Sequence, residues 1–232
     1  MKRAASLRQR KFREREGAFL VEGADLVAAG LAAGRRPQVV FVRAERAPEV
    51  SARLGLGGED GPAAAVHPVV ERVAERISTL ETPPDVMAVF PLPERRALAT
   101  LFGPGGAPGD DAPPGAIAEA LVVFADGIGD PGNMGTLLRA AVAFGATALG
   151  TAPGSADLYG PKTVRAGMGA VFGLPLFPGY CWPMCWRRCP GPRCTAWRRT
   201  KAFRWPPPAC GGRPCSWWAP SVAASRPRPS CT

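Results

Sequence analysis

Three polar side chains near the middle of the chain have the types and spacing of a ligand-binding site. They are Asp130, Asn133 and Arg139, and they lie in the segment DGIGDPGNMGTLLRAAVAFG. The simplest chemistry for the arginine is to hold a phosphate group, because a guanidinium is charged at every accessible pH and donates paired hydrogen bonds. The segment therefore predicts a ligand-binding site.

A strand and a helix must position these side chains. The apolar run Leu121 to Phe124 has the length of a buried parallel strand. Apolar residues then recur at helical spacing, at Leu137, Leu138, Ala141, Val142 and Phe144. Asn133 is predicted to cap this helix, which would begin at about Met134. Arg139 would lie two turns further, near the carboxyl edge of the sheet, where open α/β sheets bind ligands.

The same segment contains a GxGxxG pattern, at Gly127, Gly129 and Gly132, which leaves a dinucleotide-binding oxidoreductase as an alternative. Two features argue against it. Pro131 occupies a position where the fingerprint needs a free backbone amide for a pyrophosphate. The strand predicted from Ala146 to Thr151 also lacks an acidic residue at its end to hold a ribose, the nearest being Asp157.

The segment resembles the first motif of the SpoU (TrmH) family of RNA 2'-O-ribose methyltransferases, a branch of the SPOUT class. That motif is similar to D-P-x-N-x-G-x-x-x-R-x-A-x-A-F-G-A, and the matching residues are Asp130, Pro131, Asn133, Gly135, Arg139, Ala141, Ala143, Phe144, Gly145 and Ala146. A second similar block comprises Asp157, Pro161, Lys162, Arg165, Met168, Gly169, Ala170, Val171, Phe172 and Pro175. Gly167 stands where many members of the family have serine.

The resemblance implies transfer of a methyl group from S-adenosylmethionine to a ribose 2'-hydroxyl of ribosomal or transfer RNA. It assigns catalytic roles to Arg139 and Asn133, the arginine activating the hydroxyl together with an RNA phosphate. Lys162 and Arg165 are predicted as further phosphate contacts, the alternative being a solvated loop. The family also implies a homodimer.

The first residues of the chain resemble the small RNA-binding domain of the same family. A basic run, at Arg8, Arg10, Lys11, Arg13 and Arg15, precedes the step F-L-V-E-G at 19–23 and a later S-x-x-E-T-P at 78–83. We predict RNA-phosphate contacts from Arg10, Lys11 and Arg13. The alternative is a solvated helix face, because Glu14 and Glu16 alternate with the basic residues.

Composition and pattern predict an α/β protein with two domains. Residues 1–91 are predicted as an RNA substrate-binding domain that includes the helix Ala24 to Ala33 and strands at Val39 to Val42 and Val86 to Phe90. Residues 92–115 are rich in Pro and Gly and form a linker. Residues 116–178 are predicted as the first part of a knotted, Rossmann-like SPOUT methyltransferase domain. No secretion signal or membrane span is recognised, which predicts a cytoplasmic location.

The last 54 residues differ from the rest in composition. All 19 acidic residues lie between Glu14 and Asp157, whereas all seven cysteines and all six tryptophans lie between Cys181 and Cys231. Ten of the 29 basic residues follow Pro178, so the whole net charge of +10 comes from this tail. The spacing of its cysteines is not that of a zinc site, and no metal site is predicted.

The genetic code suggests an origin for this tail. Tryptophan has a single codon, so Trp217 and Trp218 fix the bases TGGTGG. In the frame that begins one base earlier, the stretch from Cys215 to Ser225 can encode L-V-V-G-A-E-R-G-G-L, which resembles the family's second motif, L-V-x-G-S-E-x-x-G-L. We therefore predict that the reading frame slips near Pro178.

The slip has a functional consequence. Residues 179–232 are predicted to be out of frame and disordered, and the chain then contains no cofactor-binding residues of its own. A member of this family would be active only with the missing motifs restored. We call the chain with this out-of-frame tail the literal chain. The alternative function for it is that of a non-catalytic remnant that binds RNA.

Overall fold

Two four-stranded sheets, one in each half of the chain, carry the fold of the computed structural model, which describes residues 1–56, 65–94, 121–180 and the strand at 194–198. Among those residues the α-helices are α1 (Lys2–Ser6), α2 (Arg10–Glu16), α3 (Ala24–Ala32), α4 (Ala47–Leu54), α5 (Glu71–Ile77), α6 (Pro131–Ala143) and α7 (Pro161–Ala166). The strands are β1 (Ala18–Glu22), β2 (Val39–Arg43), β3 (Ala65–Val69), β4 (Val86–Pro91), β5 (Val122–Asp126), β6 (Ala148–Thr151), β7 (Leu176–Phe177) and β8 (Cys194–Arg198). The predicted mixed α/β class is confirmed.

The sheet of the first half has the order β1-β4-β2-β3. In it β4 pairs antiparallel with both β1 and β2, whereas β2 and β3 run parallel. Every residue of β1 is buried, because helices cover both faces of the sheet. Phe19 and Val21 belong to one apolar cluster together with Leu26 and Val27 of α3, whereas Leu20 belongs to a second cluster on the opposite face.

The sheet of the second half is entirely parallel and has the order β7-β6-β5-β8. The helix α6 connects β5 to β6 as a crossover connection requires. The order reverses between β5 and β8, because β6 and β7 follow on one side of β5 and β8 lies on the other. In open α/β sheets such a switch point is where ligands bind, beyond the carboxyl ends of the strands.

The start of α6 differs from the prediction. The helix begins at Pro131, and its N-cap is Asp130, whose Oδ2 accepts a hydrogen bond of 2.7 Å from the Asn133 amide. Asn133 is therefore not the cap but the third residue of the helix. The reason is that proline suits the first helical position and aspartate is as good a cap as asparagine, so the helix gains its first turn.

The segment predicted as a disordered tail is partly ordered where the structure describes it. The Tyr180 amide donates to the Thr151 carbonyl over 2.9 Å, and residues Cys194–Arg198 form β8, which pairs with β5 from Val122 to Asp126. Disorder is therefore wrong for these residues, because proline-free chain can extend a sheet through its backbone alone. Residues 181–193 and 199–232, like most of the predicted linker, lie outside the described residues.

The two halves pack against each other along a surface that we call the junction. It is formed by α2, β1, α3 and β4 of the first half and by residues 157–173 of the second. Four aromatic rings meet there, with ring centroids 5.0 to 6.2 Å apart, namely Phe19, Phe90, Tyr159 and Phe172. One apolar cluster consequently contains residues from both halves. None of the helices in the described ranges is both long and apolar enough to cross a membrane.

Candidate functional site

The carboxyl ends of β5 and β6 are followed by two loops that bind one another. The Ala156 amide donates to the Ile128 carbonyl over 2.7 Å, and the Ser155 hydroxyl donates to the Ala125 carbonyl over 3.4 Å. Because the second loop lies over the first, it fixes the turn that leads into α6. The start of α6 is thus held by its Asp130 cap and by this loop contact.

Helix α6 carries both residues predicted to be catalytic. Asn133 and Arg139 are exposed, and in the described part of the chain no hydrogen bond or ion pair engages the Arg139 guanidinium. Six helical positions separate them, which is about 9 Å along the axis and about 120° around it. The structure therefore places Asn133 at the strand ends but Arg139 further along the helix, and it does not bring the two side chains together.

The buried side of α6 packs closely on α7. Gly135 faces Ala166, and a Cβ on Gly135 would meet both the Cβ of Ala166 and, at 2.7 Å, its carbonyl carbon. Only glycine allows this approach. The position of Arg139 is therefore tied to that of α7.

The two cations of α7 have different environments. Lys162 is exposed, and its ammonium has no hydrogen bond or ion pair among the residues that the structure describes. Arg165 instead donates to Glu22 Oε2 over 2.5 Å and to the Thr79 hydroxyl over 2.6 Å. Lys162 thus remains predicted as a phosphate contact. Nη1 of Arg165 binds a buried carboxylate of the other half, and the Arg165 side chain is 27% exposed, so its predicted phosphate contact stays a prediction.

The prediction for Arg13 is corrected. Its side chain is only 5% exposed and forms an ion pair of 2.5 Å with Asp157. It also donates to the carbonyls of Leu7 and Arg8, over 2.6 and 2.8 Å. A guanidinium so enclosed is not available to RNA, because reaching a phosphate would first break these contacts.

The other cations of α2 are exposed. Arg10 forms an ion pair with Glu14 over 2.9 Å, and this hydrogen bond raises the pKa of Arg10. Lys11 lies 4.9 Å from the centroid of the Phe12 ring and has its ammonium in solvent. Arg8 caps the end of α5 by donating to the carbonyls of Arg76 and Ser78. Arg10 and Lys11 are the predicted contacts on α2 that remain open to a phosphate.

Sequence reasoning did not identify the acidic partners. Glu22 and Ser78 belong to the two motifs F-L-V-E-G and S-x-x-E-T-P, and the structure joins them, since the Ser78 hydroxyl donates to Glu22 over 2.8 Å. The sequence therefore contained both motifs, but it did not indicate that Glu22 of one motif contacts Ser78 of the other. Asp157, considered above for a ribose, binds Arg13 and accepts from the Tyr159 amide over 2.9 Å. Burial raises the pKa of the Tyr159 hydroxyl, which keeps it protonated.

The loops after β5 and β6 bond to each other at the carboxyl end of the sheet. The switch point is bordered on one side by β5 and on the other by β8, which lies in the segment predicted to be out of frame. The prediction that this chain contains no cofactor-binding residues stays a prediction.

Both halves of the chain match known families. The family described as "MRM3-like substrate binding domain" matches residues 1–88, and the "SpoU rRNA Methylase family" matches residues 120–201. The second match continues past Pro178 and includes β8. The resemblance noted from the sequence is thereby confirmed for both domains.

Similar proteins include a mitochondrial rRNA methyltransferase 3A from Danio rerio, 34% identical over 75% of this chain and 37% of the relative. The chain thus spans little more than a third of that relative's length. A solved TrmH-family RNA methyltransferase from Porphyromonas gingivalis is 34% identical, with a TM-score of 0.57 over 76% of this chain and 60% of that one. An AdoMet-bound rRNA methyltransferase from Sinorhizobium meliloti is 26% identical, with a TM-score of 0.61 over 81% and 64%.

Proposed function

Because the chain belongs to the SpoU family of RNA methylases, we propose that its full, in-frame protein transfers methyl groups to ribose 2'-hydroxyls of ribosomal RNA. S-adenosylmethionine is the cofactor of the family, as the AdoMet-bound neighbour illustrates, and it supplies the methyl group when bound. The rRNA substrate is taken from the names of the relatives. The dinucleotide-binding alternative has no support in these matches.

The observation that carries the proposal is that Arg139 is exposed and has no partner among the residues that the structure describes. A ribose hydroxyl is a poor nucleophile and must pass its proton to an acceptor, water or an oxygen of an RNA phosphate, as its own oxygen forms the bond to the methyl group. The cationic guanidinium of Arg139 favours the reaction by binding an RNA phosphate and the negative charge that develops at the oxygen. Asn133, at the strand ends, orients the RNA.

A methylation assay tests this function. Full-length protein with the reading frame restored is incubated with labelled S-adenosylmethionine and an rRNA transcript, and 2'-O-methylation is detected as resistance of the bond to alkaline cleavage. We expect Arg139→Ala to lower kcat by about 10² to 10⁴. Arg72→Ala, at an exposed position on α5, is the control. Equal activity of the two variants would contradict the role of Arg139.

For the literal chain we propose the frame slip near Pro178 and, with it, loss of cofactor binding. Support comes from the confinement of cysteine and tryptophan to the tail and from the second motif encoded in the shifted frame. Such a chain binds RNA through its first half without methylating it. The family match continues past Pro178 to residue 201, which favours a slip later in the chain than Pro178.

Two measurements test the slip. The nucleotide sequence around the codon for Pro178 should restore the missing motifs after correction by a single base. Calorimetry of the literal chain with S-adenosylmethionine should show no saturable binding. Micromolar binding to the literal chain would refute the slip, and with it the remnant function.

A further inference from the structure

Two ion pairs cross the junction, and each joins one half of the chain to the other. Arg165 of α7 binds Glu22 at the end of β1, and Arg13 of α2 binds Asp157 in the loop before α7. Both pairs are 2.5 Å long and connect residues 143 or 144 positions apart. The pairs are therefore long-range contacts that form only when both halves are folded and docked.

Glu22 is a fully saturated, buried carboxylate, with a side chain that is 1% exposed. It accepts hydrogen bonds from the Ser78 hydroxyl, the Thr79 amide and the Thr79 hydroxyl, over 2.8, 2.7 and 2.6 Å. These three donors are neutral and belong to its own half. Arg165 is the cation that balances the buried charge, so the first half is completed electrostatically only by the second.

Arg13 is a second buried charge of the first half, with the opposite sign. It is a buried cation of the first half, and its balancing charge, Asp157, belongs to the second. Its Nε lacks a hydrogen-bond partner in the described structure, so the charge depends further on the contacts of its two Nη atoms. Because both buried charges belong to the first half and both counter-charges to the second, separating the halves would leave two buried charges of the first half unbalanced.

Close packing leaves little freedom between the ion pairs. A Cβ on Gly30 of α3 would lie 3.0 Å from the Phe172 ring, and one on Gly169 would lie 2.7 Å from the Ala29 Cβ. The aromatic cluster lies in the same region. Sliding of one half over the other would therefore create overlap as well as break the ion pairs.

We propose that Glu22 and Arg13 are positioning residues that dock the substrate-binding half on the transferase half in one fixed arrangement. Arg165 and Asp157 are their targets, and Arg13 and Arg165 act through the protein rather than by contact with RNA. The docking holds Lys11 of α2 and Lys162 of α7 at a set separation. RNA thus meets cations of both halves in a fixed relative position, an inference that rests on the proposed RNA substrate.

Each junction arginine has a matched control on its own helix. Arg165→Met is compared with Lys162→Met on α7, and Arg13→Met with Lys11→Met on α2. Binding of an rRNA fragment is measured over a range of KCl concentrations, and thermal unfolding is followed in parallel. The salt slope of binding reports the number of phosphates contacted, because each contact releases counterions.

We expect the lysine variants and the arginine variants to differ in both salt slope and Tm. Lys162→Met and Lys11→Met should each reduce the slope by about one and leave Tm unchanged. Arg165→Met and Arg13→Met should lower Tm, leave the slope unchanged where the protein is folded, and weaken binding about tenfold through loss of the prearranged surface. A slope reduced by about one in Arg165→Met or Arg13→Met, with Tm unchanged, would overturn the proposal.

A milder variant keeps the test decisive if the methionine variants fail to fold. Glu22→Gln retains the shape of the side chain while removing its charge, and we expect faster hydrogen exchange of the α7 amides and weaker RNA binding with the same slope. Lower stability with unchanged affinity and exchange would mean that Glu22 only stabilises the fold, which also contradicts positioning. If the wild type binds no RNA, the proposed RNA substrate is wrong. The Tm and hydrogen-exchange measurements would still test whether the two ion pairs dock the halves.

Discussion

The junction and the exposed side of α6 contain the same kinds of side chains in opposite environments. At the junction, Arg13 and Arg165 bind carboxylates of the other half, and Phe19 is 1% exposed. On α6, Arg139 is exposed with no partner in the described structure, and Phe144, which caps the end of the helix, is 81% exposed. Residue type alone therefore does not separate a structural arginine from one that is open to a ligand.

The difference follows from the cost of removing a charge from water. A buried guanidinium must keep its counter-charge and hydrogen bonds, so it cannot be exchanged for an RNA phosphate without a large penalty. An exposed guanidinium gains a phosphate contact at the expense of water and counterions only. Burial and ion pairing are therefore the two criteria that separate the arginines of this chain that are open to a phosphate from those that are not.

Replacing the aromatic residue of each region should give the largest contrast. Phe19→Ala removes a ring that packs on Phe90, Tyr159 and Phe172, and it should lower the free energy of unfolding by about 3–5 kcal/mol. Phe144→Ala should change it by about 0.5 kcal/mol or less. Urea unfolding measures both. A similar loss in the two variants would mean that the Phe144 ring is covered in solution.

The contact between α6 and α7 is expected to give the next largest change in the free energy of unfolding. Gly135→Ala places a Cβ against Ala166, and the overlap should cost about 1–3 kcal/mol, more than the gain in helix propensity. Gly129→Ala, which meets no atom within 4 Å, is the control. Unfolding curves of the two variants measure the contrast, and a stabilised Gly135→Ala would show that α6 and α7 can separate.

A smaller effect is expected at the start of α6. Asp130→Ala removes the acceptor of the Asn133 amide and should lower stability by about 1 kcal/mol. Asp130→Asn keeps an acceptor and should be close to the wild type. Thermal unfolding distinguishes them. Equal losses in both variants would indicate that the charge of Asp130, rather than its capping geometry, is what the helix needs.

The smallest effect is a pH dependence at the exposed end of α2. Hydrogen bonds from Arg15 and then Arg3 lower the pKa of Glu16 below its ordinary value of 4.5. A carboxylate with a lowered folded-state pKa contributes stability above its unfolded pKa and loses it as the pH falls through the folded pKa. The Tm difference between wild type and Glu16→Gln should therefore be small at about pH 7 and decrease as the pH falls below 4.5. A difference that grows on acidification would contradict this sign.

Local pattern was sufficient to predict the secondary structure that positions the site. The helix expected from Ala24 to Ala33 is found at Ala24–Ala32, and the strand expected at Val39 to Val42 is found at Val39–Arg43. Both depend on apolar spacing within a few residues. The cap of α6 was missed because Asp130 and Asn133 are both good capping residues, and the choice depended on Pro131 between them.

The roles of the basic residues could not be predicted in the same way. Arg165 and Lys162 are three positions apart and look equivalent in the sequence, yet one binds Glu22 and the other is exposed. The partners of Arg13 and Arg165 lie more than 140 residues away, and no local pattern indicates which distant carboxylate a guanidinium will meet.

The sequence by itself determined the helices and strands, the motif that carries Asn133 and Arg139, and the change in composition after Pro178, because each depends on residue type and short-range spacing. Tertiary structure alone decided which cations remain available to RNA. The first half buries two charges whose partners lie in the second, so the halves must dock for those charges to be paired, and the free energy of that pairing exists only when the distant partners meet.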